Sequence, residues 1–416
     1  MSKLRHLRAS DVAAVAKLAT LATTGVTHIA EGVHQSVRRG LGLPAGKLPE
    51  QTGGLTGLIY KSVRGVTQLV GKGLDTALVK LQPLFDTADH AAPESPRREA
   101  VLAALNGMMG DHLAANRNPL ATRMSLRFQG QALNWQVLPP GFKPGGKILL
   151  LIHGLCMNDL QWKTLRPDVN GSDEPQVYDH GKALADALGY TPLYLRYNTG
   201  LHTSQNGHEL SALLDQLLAH WPAPIEDISV VAHSMGGLVI RSAFHNAQAK
   251  HLNWPRHLKN IVFLGTPHHG APLERAGNWL DVLLGSTPYS KPFGRLAQLR
   301  SAGITDLRYG HVVEEDWQGH DRFRKRPDGR LPVPLPQDVA CFTVAATTAA
   351  KRSLLAERLV GDGLVPLQSA LGQHLEPVRT LSFAKSAQMI AYRTNHMQLL
   401  SRPDIARQMV VWLQPA

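Results

Sequence analysis

Beyond residue 120 the chain alternates between two arrangements of apolar and polar positions. Short continuous apolar runs read as strands buried on both faces: KILLLIHG (147–154), TPLYLRYN (191–198), DISVVAHS (227–234), KNIVFLGTP (259–267), DVACFTVAA (338–346) and SAQMIAYRT (386–394). Other segments space their apolar residues three and four apart and read as helices: HGKALADALGY (180–190), SQNGHELSALLDQLLAHW (204–221), GGLVIRSAFHNAQ (236–248) and the closing PDIARQMVVWL (403–413). A further helix is predicted over 98–116. MSLRF (124–128) and ALNWQV (132–137) flank a Gly-containing turn and predict an antiparallel hairpin. Strands and helices alternating in this way imply an α/β fold with a mostly parallel central sheet, helices on both faces, and sites at the carboxyl ends of the strands.

The first 95 residues have another pattern. Val12, Val15, Ala19, Ala22, Val26, Ile29 and Val33 form one helical stripe. GLGLPAGKLPEQTGG (40–54) breaks it. Ile59, Val63, Val66, Val70, Leu74, Ala77 and Leu81 form a second stripe, interrupted by Lys61, Arg64, Lys72 and Lys80. The expected organisation is an amphipathic helical extension over 1–95, a linker at APESP (92–96) and a main domain over 96–416. Two readings of the extension stand. It packs on the main domain or on a second copy of the chain, giving a homo-oligomer; or it lies on an anionic membrane or granule surface, lysines towards the anions.

Composition narrows this picture. Hydrophobic residues make up 43% of the 416, enough for a sizeable core, and no run approaches the ~18 apolar residues of a membrane span. Asp11 and Lys17 break the apolar part of the N-terminus, and no signal-peptidase site follows, so a cytoplasmic protein is expected. The net charge of +12 favours anionic partners, but it is spread along the chain and no nucleic-acid motif accompanies it. The densest run, DRFRKRPDGR (321–330), reads as a solvated loop. Cys156 and Cys341 are expected as reduced thiols.

The chemistry centres on VVAHSMGGLVI (230–240). A strand stops, a serine follows, and a helix begins after it. A serine hydroxyl needs a base within reach, a group to orient that base, and donors for the developing oxyanion. A sharp strand-to-helix turn holds Ser234 at its tip, and small residues must flank it because strand and helix nearly touch. Gly236 serves on the helix side; Ala232, where glycine is usual, is the smallest step up on the strand side.

With AHSMGG at 232–237, the sequence resembles the α/β-hydrolase superfamily of serine esterases and lipases over about 122–416. LIHGLCMND (151–159), FLGTPHHGAP (263–272), GDGLVP (361–366) and NHMQLL (395–400) match further blocks of that superfamily, and more distantly the GPI inositol-deacylase and lecithin–cholesterol acyltransferase groups. The resemblance implies an α/β-hydrolase fold and a chain order of nucleophile, acid and base: Ser234, Asp362 and His396. It implies backbone oxyanion donors at Met235, after the nucleophile, and Leu155, after the His153-Gly154 pair. His153, Gly154, Asn198, His202 and His268 are expected to line the substrate pocket. Residues 272–337 lack a strand pattern and read as a lid-like insertion. His311 and His320 lack paired ligand spacing, so no metal is expected, and no motif calls for a cofactor.

These expectations amount to a hydrolase of carboxylic esters with an apolar, lipid-like substrate. An acyltransferase using the same residues is the alternative within the class. A catalytically silent lipid- or granule-surface interaction protein is the alternative outside it.

Overall fold

The computed structural model describes residues 96–139, 142–166, 176–271, 301–320, 328–350 and 361–414. The expected helices of 1–95 lie outside the described residues, as do 272–300 and 321–327 of the expected lid. No described helix is long and apolar enough to cross a membrane. The chain divides into two units, and almost all described residues belong to the one comprising Glu99–Ala115 and Ala121–Ala416.

The apolar runs become the strands β3 (Lys147–Ile152), β6 (Thr191–Arg196), β7 (Asp227–His233), β8 (Leu258–Leu264), β9 (Ala340–Thr347) and β10 (Gln388–Tyr392). These pair in parallel. The hairpin strands β1 (Ser125–Phe128) and β2 (Gln131–Ala132) join antiparallel at the edge. The resulting eight-stranded order is β10-β9-β8-β7-β3-β6-β1-β2. β2 is shorter than the run ALNWQV predicts: only Gln131 and Ala132 pair, and both are exposed. A separate ribbon, β4 (Thr164–Arg166) with β5 (Gln176–Tyr178), was not legible in the pattern; Leu165 and Val177 pair on it and are exposed.

Central β3 shows why its sequence is continuously apolar. Ile148, Leu150 and Ile152 enter one hydrophobic cluster, and Leu149 and Leu151 enter another. Alternate side chains of one strand thus feed the two faces of the sheet. The helices are α1 (Pro96–Ala115), α2 (His180–Leu188), α3 (Thr203–His220), α4 (Met235–Ala249), α5 (Ala302–Tyr309), α6 (Leu367–Ala370) and α7 (Pro403–Leu413). Leu210, Leu214 and Leu217 of α3 join Leu238, Val239 and Ile240 of α4 in the first cluster. Leu184 of α2 joins Ile405, Met409 and Leu413 of α7 in the second. A parallel sheet between two such layers has no solvated face, hence the unbroken apolar runs.

α1 is tied to the sheet edge by charge. Arg196 of β6 bonds Glu99 at 2.8 Å and also pairs with Asp159, while Arg127 of β1 lies 3.6 Å from Asp159. All four side chains are buried, where an ion network is kept by mutual satisfaction and losing one member leaves an uncompensated charge.

Within the expected insertion, α5 packs into the body. Ser301 donates to the Gly107 carbonyl at 2.6 Å, and the Thr203 N–H donates to Asp306 at 2.7 Å. Ala302 through Leu307 are buried.

Candidate active site

The carboxyl end of β7 and the start of α4 form a sharp turn at Ser234, whose φ of 54° and ψ of −121° place a non-glycine residue in the left-handed half of the map. Such a conformation costs roughly 1–3 kcal/mol and persists only where the surroundings impose it. They do so here: the Ser234 N–H donates to the Leu264 carbonyl at 2.9 Å, and the Ser234 carbonyl accepts from Gly237 at 3.1 Å. The flanking small residues are required. A Cβ on Gly236 would stand 2.5 Å from the Ile152 carbonyl oxygen, and one on Gly237 would stand 2.1 Å from Thr266 Oγ1. Ala232 sits in the ladder between Ile152 and Phe263, fully buried.

His396 follows β10 and is also buried. Its Nδ1–H donates to Asp362 Oδ2 at 2.6 Å, and its backbone N–H donates to the Asp362 carbonyl at 3.1 Å. The other carboxylate oxygen, Oδ1, accepts from the backbone N–H groups of Leu364 (2.9 Å) and Val365 (2.8 Å). Asp362 is thereby fixed in a turn, and His396 is fixed on Asp362. His396 Nε2 is buried with no hydrogen-bond partner among the described residues.

Two neighbours hold the imidazole beside the elbow. His233, the residue before the serine, donates from Nε2 to the His396 carbonyl at 3.2 Å, with ring centroids 4.6 Å apart. Gly265, just past β8 with φ of 58°, lies under the His396 ring: a Cβ there would be 3.1 Å from Cε1 and 2.7 Å from Leu399 Cδ1. Gly265→Ala is expected to displace the ring and lower by about 10²-fold any turnover that uses His396 as a base. The same change strains a positive-φ position by about 1–2 kcal/mol. Steady-state kinetics and a thermal melt check both, and an unchanged kcat would refute the packing role.

The loop after β3 abuts the serine from the other side. A Cβ on Gly154 would stand 2.9 Å from Ser234 Cβ. The Leu155 N–H, in a fully buried residue, has no acceptor among the described residues. Met235 is the first residue of α4, where a backbone N–H has no intrahelical acceptor. His153 is buried, stacks on Tyr197 at 4.4 Å, and contacts the Gly154 carbonyl through Nδ1 at 3.0 Å. Burial pushes its pKa down to about 3, so it is a neutral brace for the loop. Cys156, one residue further, has its thiol pushed up to about 12 by burial and is no nucleophile.

Three expected pocket residues are placed elsewhere. Asn198 is buried, its amide donating to the Gly110 carbonyl (3.0 Å) and accepting from Gly200 (3.0 Å), so it braces its own loop. His202 begins α3, stacks on Trp317 at 3.6 Å and bonds Asp306 at 3.0 Å. His268 is buried against Phe263 and Phe383 and faces Arg241. Polar residues at strand ends read as pocket lining in sequence; here their partners are groups far away in the chain. Gly265 and His233 were the neighbours of His396 that the pattern did not identify; the glycine directly after an apolar run was the available signal.

This strand order, with a serine elbow after β7, the fifth strand counted from the β2 edge, and the Asp–His pair beyond it, is the α/β-hydrolase fold. Residues 143–333 match the family described as PGAP1-like alpha/beta domain. No curated protein matches the chain. Similar solved structures include the mature form of a Bacillus licheniformis lipase, 18% identical, covering 70% of this chain and 98% of that one with a TM-score of 0.39. Aspergillus fumigatus lipase B is 11% identical, covering 65% of this chain and 54% of that one, TM-score 0.38. A thioesterase from the prodiginine biosynthetic pathway of Streptomyces coelicolor is 14% identical, covering 67% and 96%, TM-score 0.36.

Proposed function

We propose that the chain is a serine hydrolase that cleaves carboxylic esters, with Ser234 as nucleophile, His396 as base and Asp362 as its orienting acid. One observation carries this reading: the buried 2.6 Å hydrogen bond from His396 Nδ1 to Asp362, beside the strained Ser234 elbow, with His396 Nε2 left unpartnered.

Because Asp362 accepts at Nδ1, the proton of a neutral His396 sits on that nitrogen and Nε2 carries the lone pair. Ser234 Oγ attacks the ester carbonyl carbon while its proton passes to Nε2. The carbonyl oxygen takes the negative charge, and the N–H groups of Met235 and Leu155 stabilise it, helped by the positive end of α4. The C–O bond to the alcohol breaks, the alcohol leaves with the proton from Nε2, and an acyl-serine remains. Water repeats the sequence, losing its proton to Nε2 and releasing the carboxylic acid and the free serine.

A fluorophosphonate probe, followed by peptide mass spectrometry, tests this directly. The expected result is a single adduct on Ser234, absent from Ser234→Ala. A folded protein that stays unlabelled both with and without added lipid would refute the reading.

A further inference from the structure

Further along α4 from the elbow lies a second feature that the proposed ester cleavage does not use. Arg241 stands seven residues after Ser234 on the same helix, two turns or about 10 Å along its axis. It is 5% exposed and has no carboxylate partner among the described residues. Its Nη2 donates to the Val333 carbonyl at 2.5 Å and its Nη1 to His268 Nδ1 at a long 3.4 Å, while Nε–H has no partner. A guanidinium only donates, so His268 Nδ1 is the accepting nitrogen and Nε2 carries the hydrogen. That Nε2 is also without a partner, in a residue 1% exposed.

Both side chains line one solvent-connected cleft of about 50 Å³, room for a compact head group with the rest of a ligand towards the open side. Arg330 and Arg379 line it as well, and no aspartate or glutamate does. The nearby acids are engaged elsewhere. Asp328 binds Arg330 at 2.6 Å and Arg379 at 3.7 Å, Glu376 binds Arg379 at 2.8 Å, and Asp316 accepts from the backbone of Val312, Val313 and Leu331. The remaining wall is apolar, including Val333, Pro334 and Leu381. A buried guanidinium without a carboxylate in contact is costly for a fold, and burial pushes the Arg241 pKa down to about 10, against a weaker opposing pull from Asp316. A ligand that brings the negative charge removes that cost.

We propose that this cleft is a binding site for a compact oxyanion, a carboxylate or phosphate group on a small molecule with an apolar body, held by Arg241 Nε–H and His268 Nε2–H with Arg330 and Arg379 at its rim. The site is separate from Ser234 and does not depend on how the ester chemistry turns out.

The test is calorimetric titration of the full chain, at low ionic strength, with inorganic phosphate and separately with hexanoate. Saturable one-to-one binding of either is expected. Phosphate alone or hexanoate alone assigns the head group; both together assign a general oxyanion site. Arg241→Met is expected to weaken binding at least tenfold without lowering the thermal midpoint, whereas a merely structural arginine would lower the midpoint when replaced. Arg379→Gln, at the rim, is expected to weaken binding severalfold and serves where Arg241→Met fails to fold. Absence of saturation by 10 mM of both probes overturns the proposal, as does binding that neither substitution weakens.

Discussion

Asp362→Asn is expected to lower kcat/KM for ester hydrolysis by about 10⁴-fold, approaching the loss in Ser234→Ala, with the fold intact. The size of this effect follows from how the carboxylate is held. Oδ1 accepts two backbone N–H groups, from Leu364 and Val365. In an asparagine only the carbonyl oxygen can take that position, because an amide NH₂ cannot accept. The NH₂ must then face His396 Nδ1, where a donor is already in place. The imidazole responds by moving its proton to Nε2, the nitrogen that has to receive the serine proton, and the base is lost. Under the proposed mechanism Ser234, His396 and Asp362 act as one unit, so the double variant Ser234→Ala/Asp362→Asn is expected to be scarcely slower than Ser234→Ala alone. Hydrolysis of p-nitrophenyl butyrate, with a circular dichroism spectrum as the control for folding, measures it. A loss below tenfold would remove Asp362 from the proposed role.

The second large effect is on stability in acid. His153, His233 and His268 are buried, and burial is the main reason each titrates far below its ordinary value, His153 at about 3. In the unfolded chain each takes a proton near pH 6.5. Between those limits unfolding binds protons, so stability rises with pH. The contribution of these neutral rings is complete above about pH 6.5 and is lost as the pH falls towards their folded values. At about 1.4 kcal/mol per pH unit and proton, His153 alone gives about that slope near pH 5, and His233 and His268 add to it in the same direction. The depressed pKa of Asp306, held down by His202 and His311 against its own burial, acts only at lower pH, below the ordinary carboxylate range. Urea midpoints at pH 7, 6 and 5 read the slope; a midpoint constant over that range would show that the rings are protonated in the folded chain.

How much of this was legible depended on distance along the chain. The parallel strands and their helices came from local pattern, because a strand covered on both faces has to be apolar nearly throughout, as the central β3, β7 and β8 are. The elbow was legible for the same reason: strand, serine, two glycines and helix are contiguous. The candidate acid raised a difficulty in sequence, since some 16 residues separate FTVAA from Asp362. The structure removes it. The Thr348 N–H donates to the Gly361 carbonyl at 3.2 Å, which holds Asp362 near the end of β9 whatever the number of residues between. The expected pocket lining depended on the opposite kind of information. Asn198, His202 and His268 stand at strand-end loops, but their partners are Gly110, Asp306 and Arg241, up to 104 residues away. No periodicity reports a contact of that separation.

The strained backbone at Ser234 has a consequence for how such a chain ages under selection. A φ of 54° suits glycine better than serine, so the fold itself gains nothing from the hydroxyl at that position. In the proposed mechanism it is the reaction that retains it. In a lineage released from the proposed turnover, a single step to glycine at 234 would relieve the turn and leave the sheet, the helices and the proposed oxyanion cleft along α4 in place. Among descendants of this chain, the identity of that one residue would separate enzymes from the binding proteins derived from them.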